Sequence, residues 1–320
     1  MLWDYLNIPG GKMKIISVID LPKELQRYLE EKGELLLKRT PTKEEVKEAE
    51  IIIGNIDRSL LSYGQRLKYV QLESAGSDTY VPFLNKDCVL CNASGTFGVN
   101  IAEHLIMCVL MLFRHMPSYG VYQKQHQFQR ILHNRMIADS CFMIVGCGDL
   151  GTQLAKRIKA LGGKTIGVKR TSVSKLPYFD EVYTISDFPS LIKKADAIIL
   201  CLPNNRGSDH LINTKTLAMM KKEAILLNVG RGNAVDEKAL YYALKERRIA
   251  GAALDVFAEE PLNENSPLWD LDNIIITPHV AGTFANEYTK QLFVSLLSDN
   301  LHRYFEGKPL RNVVDREWGY

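Results

Sequence analysis

From Met13 onward, short apolar runs alternate with longer amphipathic stretches, the pattern of strands alternating with helices around a parallel sheet. KIISVI (14–19), ELLLK (34–38), IIIGN (51–55), YVQLE (69–73) and CVLCN (88–92) predict five strands. Between them LPKELQRYLEEKG (21–33) predicts a helix closed by Gly33 as a C-cap. From Val99 to Met116 the chain is strongly apolar and free of glycine and proline, which predicts one buried helix ending at Pro117. The polar, glutamine-rich connector 118–135 is expected to pack on a partner or cover a site, and it marks a domain junction. A second series of strands follows at CFMIVG (141–146), KTIGV (164–168), EVYT (181–184), AIILCL (197–202), AILLNV (224–229), AGAALDV (250–256) and NIIIT (273–277). Residues 286–308 predict a last amphipathic helix that runs back to cover the first series. The expected class is α/β: two Rossmann-like or flavodoxin-like domains, doubly wound, with parallel sheets and a cleft between them. Residues 13–97 with 285–320 form a discontinuous domain, 98–284 the other, and 1–12 an N-terminal extension.

Composition narrows the function classes. With 320 residues, 46% of them hydrophobic and 24% charged, the chain is ordinary globular material. A net charge of +3, evenly spread, excludes a nucleic-acid footprint. No apolar run approaches the roughly 18 residues a membrane span needs, and the start lacks a secretory layout, so a cytoplasmic protein with a small-molecule partner is expected. Cys88, Cys91, Cys108, Cys141, Cys147 and Cys201 sit mostly in apolar runs, as small buried hydrophobes do. Cys88 and Cys91 form a lone CxxC without a second ligand pair, so neither a metal nor a disulfide is expected.

The strand CFMIV runs into GCGDLG and then into the helical LAKRIKALG, which places Gly146, Gly148 and Gly151 as a dinucleotide fingerprint. The first glycine allows the tight turn, the second lets backbone approach a pyrophosphate, and the third permits close helix packing. Asp149 and Leu150 complete the turn. About 20 residues on, an NAD-selective site carries an acid for the ribose 2′-hydroxyl. Here stand Lys169, Arg170, Thr171 and Ser172. A guanidinium suits a 2′-phosphate, so NADP is preferred and NAD is the alternative; the other reading of these cations is a solvated strand end.

Three further strand ends carry Arg231 (NVGRG), Glu260 (LDVFAEEP) and His279 (TPHVAG). In open α/β sheets ligands bind beyond the carboxyl ends of strands. An arginine fork orients a substrate carboxylate, a histidine gives a proton to a carbonyl oxygen as hydride reaches carbon, and a paired glutamate favours the protonated imidazole. Each residue alone has a plain structural reading; the three behind a fingerprint point to hydride transfer with a 2-oxo or 2-hydroxy acid.

At this point the chain resembles the D-isomer-specific 2-hydroxyacid dehydrogenase family from Met13 onward, and its NADP-preferring branch, with glyoxylate and hydroxypyruvate reductases, at Lys169–Ser172. ESAGSD (73–78), NIAEHL (100–105), GCGDLG (146–151), CLPNNRGSDHLIN (201–213), NVGRGNAVDEKAL (228–240), GAALDVFAEEPL (251–262) and TPHVAG (277–282) follow in family order. The resemblance implies that 13–97 with 285–320 binds substrate and 98–284 binds the dinucleotide. It implies Arg231, Glu260 and His279 as catalytic residues, and substrate contacts from Ser74, the amides of Ala75 and Gly76, Arg231 and His279. Cofactor contacts would include Leu202, Pro203, Ser208, Val229 and Asp255, the last holding the nicotinamide carboxamide. D stereochemistry and a homodimer paired through nucleotide-binding domains are likewise implied. HNRMIADSCFMIV (133–145) departs from the family by lacking the Trp and Gly-Lys turn of many relatives. Two alternatives stand beside this reading: a phosphite or formate dehydrogenase of the same fold, the formate version opposed by Glu260 where such enzymes carry glutamine, and a non-enzymatic dinucleotide-sensing corepressor.

Overall fold

A computed structural model of the protein describes residues 12–171, 175–203 and 208–319. The expected extension apart from Lys12, Ser172, and residues 204–207 of the CLPNNRGSDHLIN segment lie outside these. The chain folds as two compact units, one built from residues up to Thr96 together with those from Phe284 onward, the other from Phe97–Thr283.

In the first unit β1 (Lys14–Ser17), β2 (Glu34–Leu37), β3 (Ile51–Ile53), β4 (Tyr69–Gln71) and β5 (Val89–Cys91) form a parallel sheet in the order β2-β1-β3-β4-β5. Strands β3 and β4 are buried at every position because both faces of a parallel sheet are covered. Ile16, Ile52, Val70 and Leu90 share one face with Val46, Leu61 and Leu67. Those partners lie on or beside α2 (Lys43–Glu48) and α3 (Arg58–Leu61). Helix α1 (Lys23–Lys32) buries Leu25 and Leu29.

Gly33 does follow α1, but as extended backbone (φ −172°, ψ −161°) and not as a left-handed cap. A Cβ there would stand 2.2 Å from the Met13 carbonyl oxygen. Glycine is required by close approach to β1, a constraint that helix periodicity does not carry.

The second unit holds seven parallel strands: β6 (Cys141–Val145), β7 (Lys164–Lys169), β8 (Glu181–Thr184), β9 (Ala197–Leu200), β10 (Ile225–Asn228), β11 (Gly251–Leu254) and β12 (Ile274–Ile276). Their order is β12-β11-β10-β9-β6-β7-β8, so strand order reverses between β6 and β9, where doubly wound sheets bind ligands. Met143, Val145, Ile198 and Leu200 face one layer, while Phe142, Ile144, Ala197 and Ile199 face the other. That alternation explains why these strands read as unbroken apolar runs.

The apolar stretch after Val99 is two helices: α4 (Gly98–Phe113) and α5 (Met116–Lys124), bent by 65°. His115 breaks them in the left-handed region at φ 55°, and Pro117 stands in the first turn of α5. Pro117 therefore starts a helix and does not end one; in a first turn the missing N–H costs nothing. Burial of α4 is one-sided, with Met107 and Leu110 exposed. No single helix among the described residues is long and apolar enough to cross a membrane. The unit continues through α6 (Asp149–Ala160), α7 (Phe188–Leu191), α8 (Thr214–Met219) and α9 (Glu237–Lys245).

After Thr283 the chain re-enters the first unit as α10 (Glu287–Phe305), capped by the Asn286 side chain, which accepts the Thr289 N–H at 2.8 Å. Tyr304 stacks on Tyr69 of β4 at 5.1 Å, and Phe305 meets Tyr28 of α1 at 5.9 Å. These contacts place α10 and α1 on the face opposite α2 and α3.

Candidate active site

Each fingerprint glycine is required for a different reason. Gly146 sits at φ +106°, and a Cβ there would stand 2.5 Å from the Cys201 carbonyl oxygen, so β6 turns within a space only glycine fits. A Cβ on Gly151 would stand 2.0 Å from the Gly146 oxygen, which seats α6 directly on the turn. Gly148, the N-cap of α6, has nothing within 4 Å of its Cβ position and leaves the backbone bare. A 12-residue helix thus presents its first amides and the positive end of its dipole to open space. This cradle fits a pyrophosphate.

Flanking residues divide between outward and inward roles. Asp149 turns inward: its carboxyl accepts the Gly98 N–H that begins α4, and burial pushes its pKa up. Leu150 packs half-buried in the core on that side. Lys169 ends β7 half-buried, with Arg170 and Thr171 exposed beyond it. Leu202, Pro203 and Val229 are half-buried past the ends of β9 and β10. Ser208 is buried and donates its hydroxyl to the Pro203 carbonyl at 3.3 Å, so it braces its own loop.

Arg231, Glu260 and His279 stand past the carboxyl ends of β10, β11 and β12. His279 Nδ1 lies 2.8 Å from Glu260 Oε2, while Glu260 Oε1 accepts the Phe257 N–H at 2.9 Å. Burial alone would raise the Glu260 carboxyl; the His279 hydrogen bond and the Phe257 amide outweigh it, with help from the Arg231 charge, and hold it below its ordinary range. Arg231 leaves β10 through a turn fixed by Asn228, whose Oδ1 accepts the Gly230 N–H at 3.1 Å and whose Nδ2 donates to the Arg231 carbonyl at 2.9 Å. A Cβ on Gly232 would fall 1.8 Å from the Phe257 carbonyl carbon, so the Arg231 turn lies against the segment that carries Glu260.

His279 occupies the left-handed region at φ 53°, a conformation costing a non-glycine residue on the order of 1 kcal/mol. Asp255 holds it there. Its carbonyl accepts the His279 N–H at 2.8 Å, and its carboxylate accepts Thr277 Oγ–H at 2.6 Å, Val280 N–H at 2.9 Å and Ala281 N–H at 3.0 Å. His104 of α4 reaches the same cluster, with Nε2 3.4 Å from Thr277 Oγ1. Asn228 and Thr277 escaped sequence reasoning, although a polar residue closing an apolar strand was a usable sign of both.

In the first unit the Ser74–Gly76 loop follows β4. Ser74 Oγ donates to the Gly76 carbonyl at 2.8 Å, and Ala75 is exposed. Burial pushes the neighbouring Glu73 carboxyl up. The Cys88 and Cys91 thiols are both pushed up to about 12 by burial.

Residues 106–281 match the NAD-binding domain of D-isomer specific 2-hydroxyacid dehydrogenases. Over 95% of its length the chain is 30% identical to a D-3-phosphoglycerate dehydrogenase of Methanocaldococcus jannaschii, and it spans 59% of that protein. Over 78% it is 33% identical to a glycerate dehydrogenase of Methylorubrum extorquens, covering 79% of it. Among solved structures, an NADPH-dependent glyoxylate/hydroxypyruvate reductase from Sinorhizobium meliloti, in complex with NADP and sulfate, superposes with a TM-score of 0.82 at 27% identity. That match covers 97% of this chain and 100% of the other.

Proposed function

Because the chain belongs to the D-isomer-specific 2-hydroxyacid dehydrogenase family, we propose that it reduces a small 2-oxo acid to the D-2-hydroxy acid with NADPH. The observation that carries this reading is the His279–Glu260 pair, 2.8 Å apart, in the unit whose sheet bears the glycine turn. A bound nicotinamide would supply the hydride. His279 keeps Nδ1 on Glu260 and gives the proton on Nε2 to the carbonyl oxygen, so the C=O π bond breaks as C–H and O–H bonds form. Such acid catalysis contributes about 10²–10⁴ in rate. Arg231 orients the substrate carboxylate, and the Ser74–Gly76 loop is the carboxylate ligand of the first unit. Unit Phe97–Thr283 is the dinucleotide-binding domain and the other the substrate-binding domain.

Lys169, Arg170 and Thr171 support NADP over NAD, since no acid among them opposes a 2′-phosphate. The name of the Sinorhizobium meliloti reductase supports glyoxylate or hydroxypyruvate as substrate. A homodimer in the cytoplasm completes the reading. Met107 and Leu110 on α4, Met116 on α5, and Phe128, Leu132 and Met136 beyond it are exposed. Exposed apolar side chains such as these suit contact with a second copy of this chain.

The test is an initial-rate screen of NADPH and NADH oxidation with glyoxylate, hydroxypyruvate, pyruvate and branched 2-oxo acids, with formate and phosphite as donors in the opposite direction. Turnover of a 2-oxo acid, faster with NADPH, is expected. Oxidation of phosphite alone, or equal dissociation constants for the two cofactors, would overturn the substrate or the cofactor assignment respectively.

A further inference from the structure

We propose that Asn92 is the positioning residue of the carboxylate cradle, its side-chain amide fixing the Ala75–Gly76 peptide so that the loop's amides face the ligand. This rests on the substrate reading above, and it concerns a residue that belongs to none of the sites assigned so far.

The Ser74–Gly76 loop is tied to the segment after β5 at two successive carbonyls. The Ser74 carbonyl accepts the Ala93 N–H at 2.9 Å, and the Ala75 carbonyl accepts Asn92 Nδ2–H at 3.0 Å. In a trans peptide the C=O and the following N–H point in opposite directions. Holding the Ser74 and Ala75 oxygens against Asn92 and Ala93 therefore turns the N–H groups of Ala75 and Gly76 away from that segment. Neither N–H has a protein partner among the described residues. Successive backbone amides turned to one side form a concavity that binds anions.

Asn92 is suited to this in a way its neighbours are not. It is 94% buried from solvent at the end of the sheet (6% exposed). Its Oδ1 accepts the Ser94 N–H at 3.1 Å, which leaves Nδ2 to face the Ala75 oxygen and settles the orientation of the amide. Its backbone is held as well: its N–H donates to the Asn312 carbonyl at 3.1 Å, and its carbonyl accepts Gln71 Nε2–H at 3.2 Å. Gln71 in turn accepts from Tyr69 Oη at 2.8 Å and from Asn300 Nδ2 at 2.9 Å. The side chain that aims the loop is thus anchored in a buried polar network. Asparagine alone supplies an acceptor and a donor at this reach: aspartate would set an oxygen against the Ala75 carbonyl, and alanine would leave that carbonyl and the Ser94 amide unpaired.

The experiment uses the holoenzyme with NADPH and the best 2-oxo acid. Asn92→Ala and Asn92→Asp should raise KM about tenfold or more, a change of about 1.4 kcal/mol, with kcat at saturation within about threefold and NADPH affinity unchanged. The advantage of the oxo acid over its uncharged amide should narrow by the same factor. Asn312→Ala removes the bonds from Asn312 Nδ2 to the Ser94 carbonyl and, at 3.5 Å, to the Asn92 carbonyl but leaves the Asn92 side chain free to hold the Ala75 carbonyl, so it should lower Tm and leave KM within about twofold. Unchanged KM in both Asn92 variants, or an equal rise in Asn312→Ala, would overturn the proposal. A readout independent of turnover is the titration of ¹⁵N-labelled enzyme and NADP⁺ with oxamate. The Ala75 and Gly76 amides should shift in the wild type, and saturate only at higher oxamate in Asn92→Asp. No shift at these two amides in the wild type would overturn the cradle, whether or not the variants fold. A wild type that reduces no 2-oxo acid yet shows the oxamate shifts would overturn the reaction and leave the cradle standing.

Discussion

In the proposed reaction Arg231 and Glu260 act through different physics, and their substitutions should separate accordingly. Arg231 is held by a turn whose hydrogen bonds involve backbone and Asn228, so Arg231→Ala should remove substrate orientation without disturbing the glycine turn. We expect kcat/KM to fall about a hundredfold or more, with NADPH affinity within about twofold and Arg231→Lys also poor. Retention of kcat/KM within about tenfold would remove Arg231 from the mechanism. Glu260 is held below its ordinary value of 4.5 by His279 and the Phe257 amide against its burial. A lowered carboxyl stabilises the fold above its ordinary range, and that contribution is lost as pH falls through the lowered value. At working pH the carboxylate is ionised, and in the proposed reaction its charge would act on the ring that donates the proton. Glu260→Gln keeps the shape and removes the charge, so reduction should decline at lower pH than in the wild type, while oxidation, which needs the neutral ring, extends toward acid. Superimposable profiles of kcat/KM for reduction against pH would show that Glu260 does not support His279.

At the scale of elements, the junction of β6 and α6 combines a packing constraint with a binding one. Gly151 lies against the Gly146 carbonyl, and Gly148 has nothing near it. Gly151→Ala should push α6 off the turn and lower Tm by several degrees, of the order expected for about 1–3 kcal/mol of overpacking. Gly148→Ala should leave Tm nearly unchanged and weaken NADPH about tenfold, because its methyl group fills only the space a pyrophosphate would take. Equal losses of Tm in the two variants would show that Gly148 serves packing as well. The helix α4 illustrates what periodicity conveys and what it misses. Its apolar character was plain from Val99 onward, but the break at His115 depends on a left-handed residue that no apolar count reveals.

For the molecule as a whole, the prediction concerns assembly. Phe128 is 99% exposed and Leu132 89% exposed, values seldom left standing on a surface that works alone. Phe128→Asp together with Leu132→Asp should convert a dimer to a monomer in sedimentation at micromolar concentration. A wild-type chain that sediments as a monomer, or a double variant that stays dimeric, would refute the assignment of this surface.

The strands, their burial on both faces and the glycine turn were legible in the sequence because each is dictated by neighbours within a few residues: a parallel strand between two helical layers must be apolar throughout, and a tight strand-to-helix turn must be glycine. Arg231, Glu260 and His279 stood out because each follows an apolar strand, and the structure brings Glu260 and His279 within 2.8 Å of each other. Other features were decided by partners distant along the chain. Gly33 is needed because Met13 passes it, Asp149 turns inward because Gly98 offers an amide, and Asp255 is bound by the loop that it shapes up to Ala281. Pro117 opens a helix because the chain has already turned at His115. Local pattern determines which elements form and where polar groups interrupt them; only the tertiary structure sets which backbone groups meet, and hydrogen bonds and close approaches depend on that meeting.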